Sequence, residues 1–145
     1  MKYPIGVQDF KSIREDGYVY VDKTALVYDM VTSGKIYFLS RPRRFGKSLL
    51  VSTLKYYFEG QRDLFDGLAI SQLVKNWKKY PVFHLDFNGS SFQDSSALYD
   101  MLLGFVASYE RVYGGNPDAI TLGDRFAGVL HAAHAKTGLR AVVLV

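Results

Sequence analysis

The stretch from Lys35 to Phe58, KIYFLSRPRRFGKSLLVSTLKYYF, restricts the fold more than any other part of the chain. Ile36, Tyr37, Phe38 and Leu39 form a short apolar run of strand-favouring residues. Arg41-Pro42-Arg43-Arg44-Phe45-Gly46 is basic and cannot extend a ladder, because Pro42 has no amide hydrogen. Beyond Lys47, the apolar residues Leu50, Val51, Leu54, Tyr57 and Phe58 recur at helical spacing. Strand, loop, Gly-Lys-Ser and helix, in that order, form the setting of a phosphate-binding loop.

The chemistry follows from the helix end. Its first amides have no acceptor within the helix and carry partial positive charge, so an anion is favoured there. Gly46 lets the backbone approach a ligand closely, Lys47 reaches toward β- and γ-phosphates, and Ser48 offers a hydroxyl to Mg²⁺. The amides of Arg44, Phe45, Gly46, Lys47, Ser48 and Leu49 form the expected cradle. The common pattern GxxxxGK[ST] is incomplete, since Arg41 stands where its first Gly belongs. Arg41, Arg43 and Arg44 offer compensation, because guanidinium groups pair with phosphate through paired hydrogen bonds. The plainer alternative is a basic loop ahead of an ordinary amphipathic helix.

RPRRFGKSLLVSTL (Arg41 to Leu54) resembles the signature of the predicted AAA-ATPase-like family, bacterial P-loop proteins that carry RPRRFGKS in place of a standard Walker A. The likeness continues upstream in YPIGVQDFKSIREDGYVYVDKT (Tyr3 to Thr24). Downstream it takes in YYFEGQRDLFDGLAI (Tyr56 to Ile70) and WKKYPVFHLDF (Trp77 to Phe87), with the segments in the family's order. Arg at position 41 is normal within that family. The resemblance implies ATP and Mg²⁺ as cofactors, with Lys47 catalytic, Ser48 on the metal, and in-line attack by water on the γ-phosphate. It also places Asp22, Lys23 and Thr24 near the nucleotide. The residues alone equally describe a helix cap with a solvated Lys.

The chain holds 145 residues with a net charge of +4, 15% aromatic residues and no cysteine. That length suits one domain with a real core, and the absence of cysteine excludes a disulfide framework or thiolate metal site. No apolar run approaches a membrane span, and MKYPIGVQDF is not a secretory signal, so the simplest expectation is a cytoplasmic protein. The modest basic excess suits anionic ligands generally, with nucleic acid the weaker reading.

In chain order, Tyr3 to Phe10 reads as extended or looped and Tyr18–Val21 as strand-like. A helix carries Leu26, Val27, Met30 and Val31, capped by Asp22 or Thr24 and ended at Ser33-Gly34. Leu64-Phe65 and Leu68–Ile70 read as apolar pieces of a loop-rich segment, followed by one helical turn at Leu73, Val74 and Trp77. Val82–Phe87 reads as a buried strand opened by Pro81. Asp86 lies near its C-terminal end, where open α/β sheets place ligands, and is a candidate for Mg²⁺ or water; the alternative is a carboxylate bonded within the next loop. Asn88–Ser96 reads as a loop. A helical face runs from Ala97 to Val112. A second helix carries Leu122, Phe126, Val129, Leu130 and Ala133 behind a capping arrangement of Thr121 and Asp124. His131 and His134 lie one turn apart on it, a spacing more often solvated than metal-binding. Ala141–Val145 reads as a final apolar strand, and no linker or repeat divides the chain.

Strands alternating with helices give an α/β class with a parallel sheet. The resemblance makes this a P-loop NTPase-like three-layer αβα domain. Residues 1–145 would then be the N-terminal portion of one such domain, ending at the Walker B strand. The acidic pair, further strands and often a C-terminal nuclease-like domain would follow in the natural protein. Two later strands would flank Ile36–Leu39, so that strand would not neighbour the other two here. The expected partners are a nucleotide, other chains or that nuclease-like domain. The expected function is ATP binding with hydrolysis in the full-length protein. Alternatives are a non-hydrolysing nucleotide-binding regulatory module or a phosphotransferase.

Overall fold

The computed structural model describes residues 1–88 and 94–145. It is mixed α/β and divides into two compact units, Met1–Lys79 and Tyr80–Val145. Residues 89–93 of the expected Asn88–Ser96 loop lie outside the described residues.

The first unit is helical. Helix α1 spans Phe10–Glu15, α2 Thr24–Ser33, α3 Lys47–Phe58 and α4 Ala69–Leu73, with a 3-10 turn at Arg62–Phe65 between the last two. Its core is aromatic and aliphatic: Phe10, Val27, Leu64, Phe65, Leu68 and Ile70 are buried together. Phe65 stacks on Phe10 and Trp77 at centroid distances of 4.7 and 5.2 Å. Each fully buried Phe of this kind contributes roughly 2–3 kcal/mol.

Backbone termini in this unit are satisfied by side chains from far along the chain. The Phe10 amide donates to Ser52 Oγ at 2.6 Å, joining α1 to α3. Arg14 donates from Nε to the Leu64 carbonyl (2.8 Å) and from Nη2 to the Asp66 carbonyl (2.7 Å), fixing the 3-10 turn to α1.

Two expectations are corrected here: Ile36–Leu39 and Tyr18–Val21 are not strands. Tyr3 to Asp9 is looped, as read from the sequence, and α1 starts at the last residue of that stretch, Phe10. A strand exists by virtue of its ladder, and these segments find no ladder among the described residues. Ile36 and Phe38 are 93% and 94% exposed. The helical turn expected at Leu73, Val74 and Trp77 is displaced: the helix is Ala69–Leu73, Val74 is already extended and Trp77 lies beyond it. The predicted helix end at Ser33 holds, but Gly34 closes it with extended backbone rather than a left-handed turn.

The second unit is a parallel pair of strands with two helices between them in sequence. Strand β1 (Val82–His84) pairs with β2 (Val142–Leu144) in the register Val82–Val142, Phe83–Val143 and His84–Leu144. Bonds from Val142 N to Pro81 O and from Leu85 N to Leu144 O extend the ladder at both ends. Both strands are shorter than their apolar runs. Between them come α5 (Ser95–Tyr113) and α6 (Leu122–Thr137). Phe83, Val106, Val129 and Ala133 form the buried centre. Arg125 and Glu110 pair through two guanidinium hydrogen bonds across α5 and α6.

The start of α6 confirms the predicted cap. Thr121 Oγ1 accepts from the Asp124 amide (3.0 Å), and Asp124 Oδ2 accepts from the Thr121 amide (3.1 Å). Gly138 ends the helix in the left-handed conformation. Among the described residues no helix is long and apolar enough to cross a membrane.

Candidate phosphate-binding site

Gly46 is the residue on which the site turns. It is the N-cap of α3 with φ +76°, a left-handed conformation that L side chains rarely adopt. Arg44, two residues earlier, is the one non-glycine residue with positive φ (+66°) among the described residues. The loop therefore reverses sharply within RPRRFG before the helix begins. Pro42 helps, since its ring fixes φ.

The helix that follows starts open. The first carbonyl used is that of Gly46, which accepts from Leu50 N at 3.0 Å. The amides of Lys47, Ser48 and Leu49 precede that bond and have no intrahelical acceptor. No side-chain hydrogen bond caps α3. Residues Arg41 to Lys47 are exposed, while Ser48 and Leu49 are half-buried. Lys47 Nζ donates to the Arg41 carbonyl at 2.7 Å, so its ammonium is drawn back over the loop. One ammonium, three guanidinium groups and three helix-start amides without an intrahelical acceptor thus lie on one short loop, an arrangement suited to an anion with several oxygens. Arg43, Arg44 and Phe45 lie in the loop, Gly46 is the N-cap, and Lys47, Ser48 and Leu49 are the first residues of α3.

Asp22, Lys23 and Thr24 sit at the start of α2. Asp22 Oδ1 accepts from the amide (2.9 Å) and hydroxyl (2.6 Å) of Thr24, and Oδ2 accepts from the Ala69 amide at 2.7 Å. Thr24 Oγ1, fully buried, accepts from the Ile70 amide at 3.1 Å. These two side chains thus cap α4 across more than forty residues. Burial pushes the Asp22 carboxyl up, but the bonds from Thr24 and Ala69, with Arg14 nearby, outweigh it and hold the pKa below its ordinary value. Lys23, between them, is exposed and lines an open cleft of about 610 Å³.

That cleft was not foreseen from the sequence. Its walls come from the Tyr3–Pro4 segment, from Val27 and Met30 of α2, and from Leu49 and Leu50 of α3; Arg41, Phe45 and Gly46 form its border with the loop. The spacing of Val27 and Met30 was the available signal, and it reads equally as core. Tyr20 also lines it. Burial first, then the charge of Asp22, raises its phenol pKa against opposing effects of Thr53 and Arg14.

Asp86 belongs to the second unit, where its Oδ1 accepts from the Asn88 amide at 2.9 Å, a local turn bond. His134 Nδ1 lies 3.0 Å from the Leu139 carbonyl. No group of three or more metal-ligating side chains occurs among the described residues. Ser48 remains the one candidate Mg²⁺ ligand at the loop. It fits a metal held mainly by phosphate oxygens and water, which needs few protein ligands.

The sequence profile of the Predicted AAA-ATPase family matches residues 4–145. The chain belongs to this family. The match spans both units, including RPRRFGKS and the β1–β2 pair. An uncharacterised protein in the vnfD 5' region of Azotobacter chroococcum mcd 1 is 39% identical over 145 residues, covering 99% of this chain. The chain spans 28% of the length of that relative. No solved structure matches the chain.

Proposed function

We propose that this chain supplies the phosphate-binding part of an ATP-binding P-loop domain, which hydrolyses Mg²⁺-ATP in the full-length protein. The observation that carries the reading is the uncapped start of α3 behind a left-handed Gly46, within a loop bearing Arg41, Arg43, Arg44 and Lys47. Family membership supplies the choice of ATP.

In this reading the amides of Lys47, Ser48 and Leu49 bind phosphate oxygens, and Arg43 and Arg44 add charge. Lys47 leaves the Arg41 carbonyl to stabilise charge on the β- and γ-phosphates. Ser48 turns its hydroxyl to Mg²⁺, which when bound neutralises phosphate charge. Asp22 and Thr24 act at one remove, because their oxygens are spent on α4. The domain is a P-loop NTPase-like three-layer αβα fold, in which Ile36–Leu39 gains its ladder from strands outside residues 1–145. The parallel β1–β2 pair and the exposed Ile36 and Phe38 support that arrangement.

The test is calorimetric titration of the 145-residue chain with Mg²⁺-ATP and Mg²⁺-GTP, for wild type and Lys47→Ala. Binding that weakens at least about a hundredfold in the variant is expected, from loss of a charge-assisted contact worth ~3 kcal/mol. Equal binding by both proteins would reject the loop as the site. The ATP/GTP ratio reports the base preference directly.

A further inference from the structure

We infer that the Tyr109 hydroxyl closes the outer edge of β1 and so prevents a strand of a second copy of this chain from pairing there. The inference concerns the second unit and is independent of the phosphate-loop reading. The ladder decides which groups face outward. Val142 N donates to Pro81 O and Leu85 N to Leu144 O, so Pro81, Phe83 and Leu85 turn their backbone groups toward β2. These directions alternate along a strand, so Val82 and His84 turn theirs to the opposite edge.

Tyr109 occupies that edge at His84. Its hydroxyl accepts from the His84 amide at 2.8 Å and donates to the His84 carbonyl at 3.3 Å. In an antiparallel ladder a neighbouring residue exchanges the same two bonds. One side-chain oxygen thus takes the place of a strand residue. Packing holds it there, since the Tyr109 ring lies 4.6 Å, centroid to centroid, from that of the fully buried Phe83. Within β1, Val82 alone then keeps outward groups, too few for a ladder. On β2 the outward residue is Val143, and among the described residues no strand pairs with it.

The rest of the chain gives closure a purpose. Ile36–Leu39 is exposed, favours strand and finds no ladder among the described residues. A chain with both a free strand and an open edge can pair head to tail with its own copies, and such contacts need not close into a ring. Closing β1 removes one of the edges on which that pairing can start.

The test compares the 145-residue wild type with Tyr109→Phe, which keeps the ring and removes the hydroxyl. In amide exchange followed by NMR, the His84 amide is expected to quicken about tenfold relative to the Leu85 amide, whose bond lies on the inner edge. In sedimentation, the variant is expected to associate at about tenfold lower concentration than wild type. Val82→Pro added to that variant removes the other outward amide and is expected to restore wild-type association. Association through β2 is common to the proteins compared and cancels. Equal quickening of both amides assigns the hydroxyl to general stability, and unchanged association shows that β1 needs no guard; either result overturns the inference. Where Tyr109→Phe does not fold, wild type carries the test: a His84 amide slowed about tenfold or more against the unfolded rate supports closure, and an unprotected one overturns it.

Discussion

Helices α3 and α6 begin in opposite ways. At α6 the amides are enclosed: Thr121 and Asp124 exchange hydrogen bonds at 3.0 and 3.1 Å in a reciprocal box. At α3 the N-cap is a left-handed glycine with no side chain to offer, and the amides are left open beneath a basic loop. Side-chain acceptors also serve α1 through Asp9, α5 through Asp94, and α4 through Asp22 and Thr24. An enclosed start holds a helix in place. An open one forgoes that stabilisation and keeps its partial charge available to a ligand. The contrast separates residues that hold the fold from residues free to bind.

The largest effect on stability is expected where one carboxylate closes two helix starts. Asp22→Ala strips acceptors from Thr24 and Ala69 together and should cost roughly 2–3 kcal/mol in denaturant unfolding. Phosphate binding by the folded fraction should stay within about twofold, because the α3 amides are untouched. A large loss of ligand affinity with stability intact would instead place Asp22 in the site. The same carboxylate gives a pH signature. Its folded pKa lies below the ordinary value, so its contribution is complete above the unfolded pKa of about 4 and is lost as pH falls through the folded one. Asp22→Asn should flatten that acid limb in a stability–pH profile. Asp9 and Asp124 are also held low and leave a residual slope.

Next in size come the two helix starts themselves. Thr121→Ala should cost about 1 kcal/mol, the usual worth of such a cap, with ligand affinity unaltered. Gly46→Ala should cost about 1–2 kcal/mol, because φ +76° is strained for any side chain. Nothing lies within 4 Å of a Cβ built there, so backbone conformation alone sets that cost. Relaxing the strain re-aims the amides, and triphosphate binding should fall with stability. Parallel unfolding curves and titrations check both. If the two variants behave alike toward ligand, the distinction between closed and open starts fails.

Much of this was legible in the sequence, and the gaps share a cause. Helices α3, α5 and α6 announced themselves by apolar spacing, and the Thr121–Asp124 box by two residues at a fixed offset, because each depends on neighbours within a few positions. The β1–β2 pair was readable as apolar runs in a βαβ rhythm. What escaped depends on distant partners. Helix α4 is five residues long, and its first amides are satisfied by side chains 46 and 47 positions away. Helix α1 rests on Ser52, 42 positions off. Leu64 and Phe65 sit in a loop-rich stretch yet are core, because Arg14 holds their turn against α1. The converse error has the same origin. Ile36–Leu39 and Tyr18–Val21 have strand composition, but composition confers no ladder. At the site, the loop was visible as a motif, whereas the cleft is made by three segments that meet only in the fold.

The smallest effect is also the most pointed. Arg44 holds φ +66°, a conformation that costs a non-glycine residue on the order of 1 kcal/mol. Replacing it with glycine removes that strain in the folded chain but adds freedom to the unfolded one, so the two partly cancel. Arg44→Gly should therefore change stability by less than about 1 kcal/mol. The ligand decides what the strain is for. If Arg44 is kept left-handed to aim its guanidinium at phosphate, the glycine variant should lose about fivefold to tenfold in tripolyphosphate affinity, the return on one exposed charge-assisted contact. Arg44→Lys keeps the strain and the charge but not the forked donor, and should fall between the two. An Arg44→Gly variant that binds as well as wild type would assign the left-handed turn to loop shape alone, and leave the open amides and Lys47 as the binding groups.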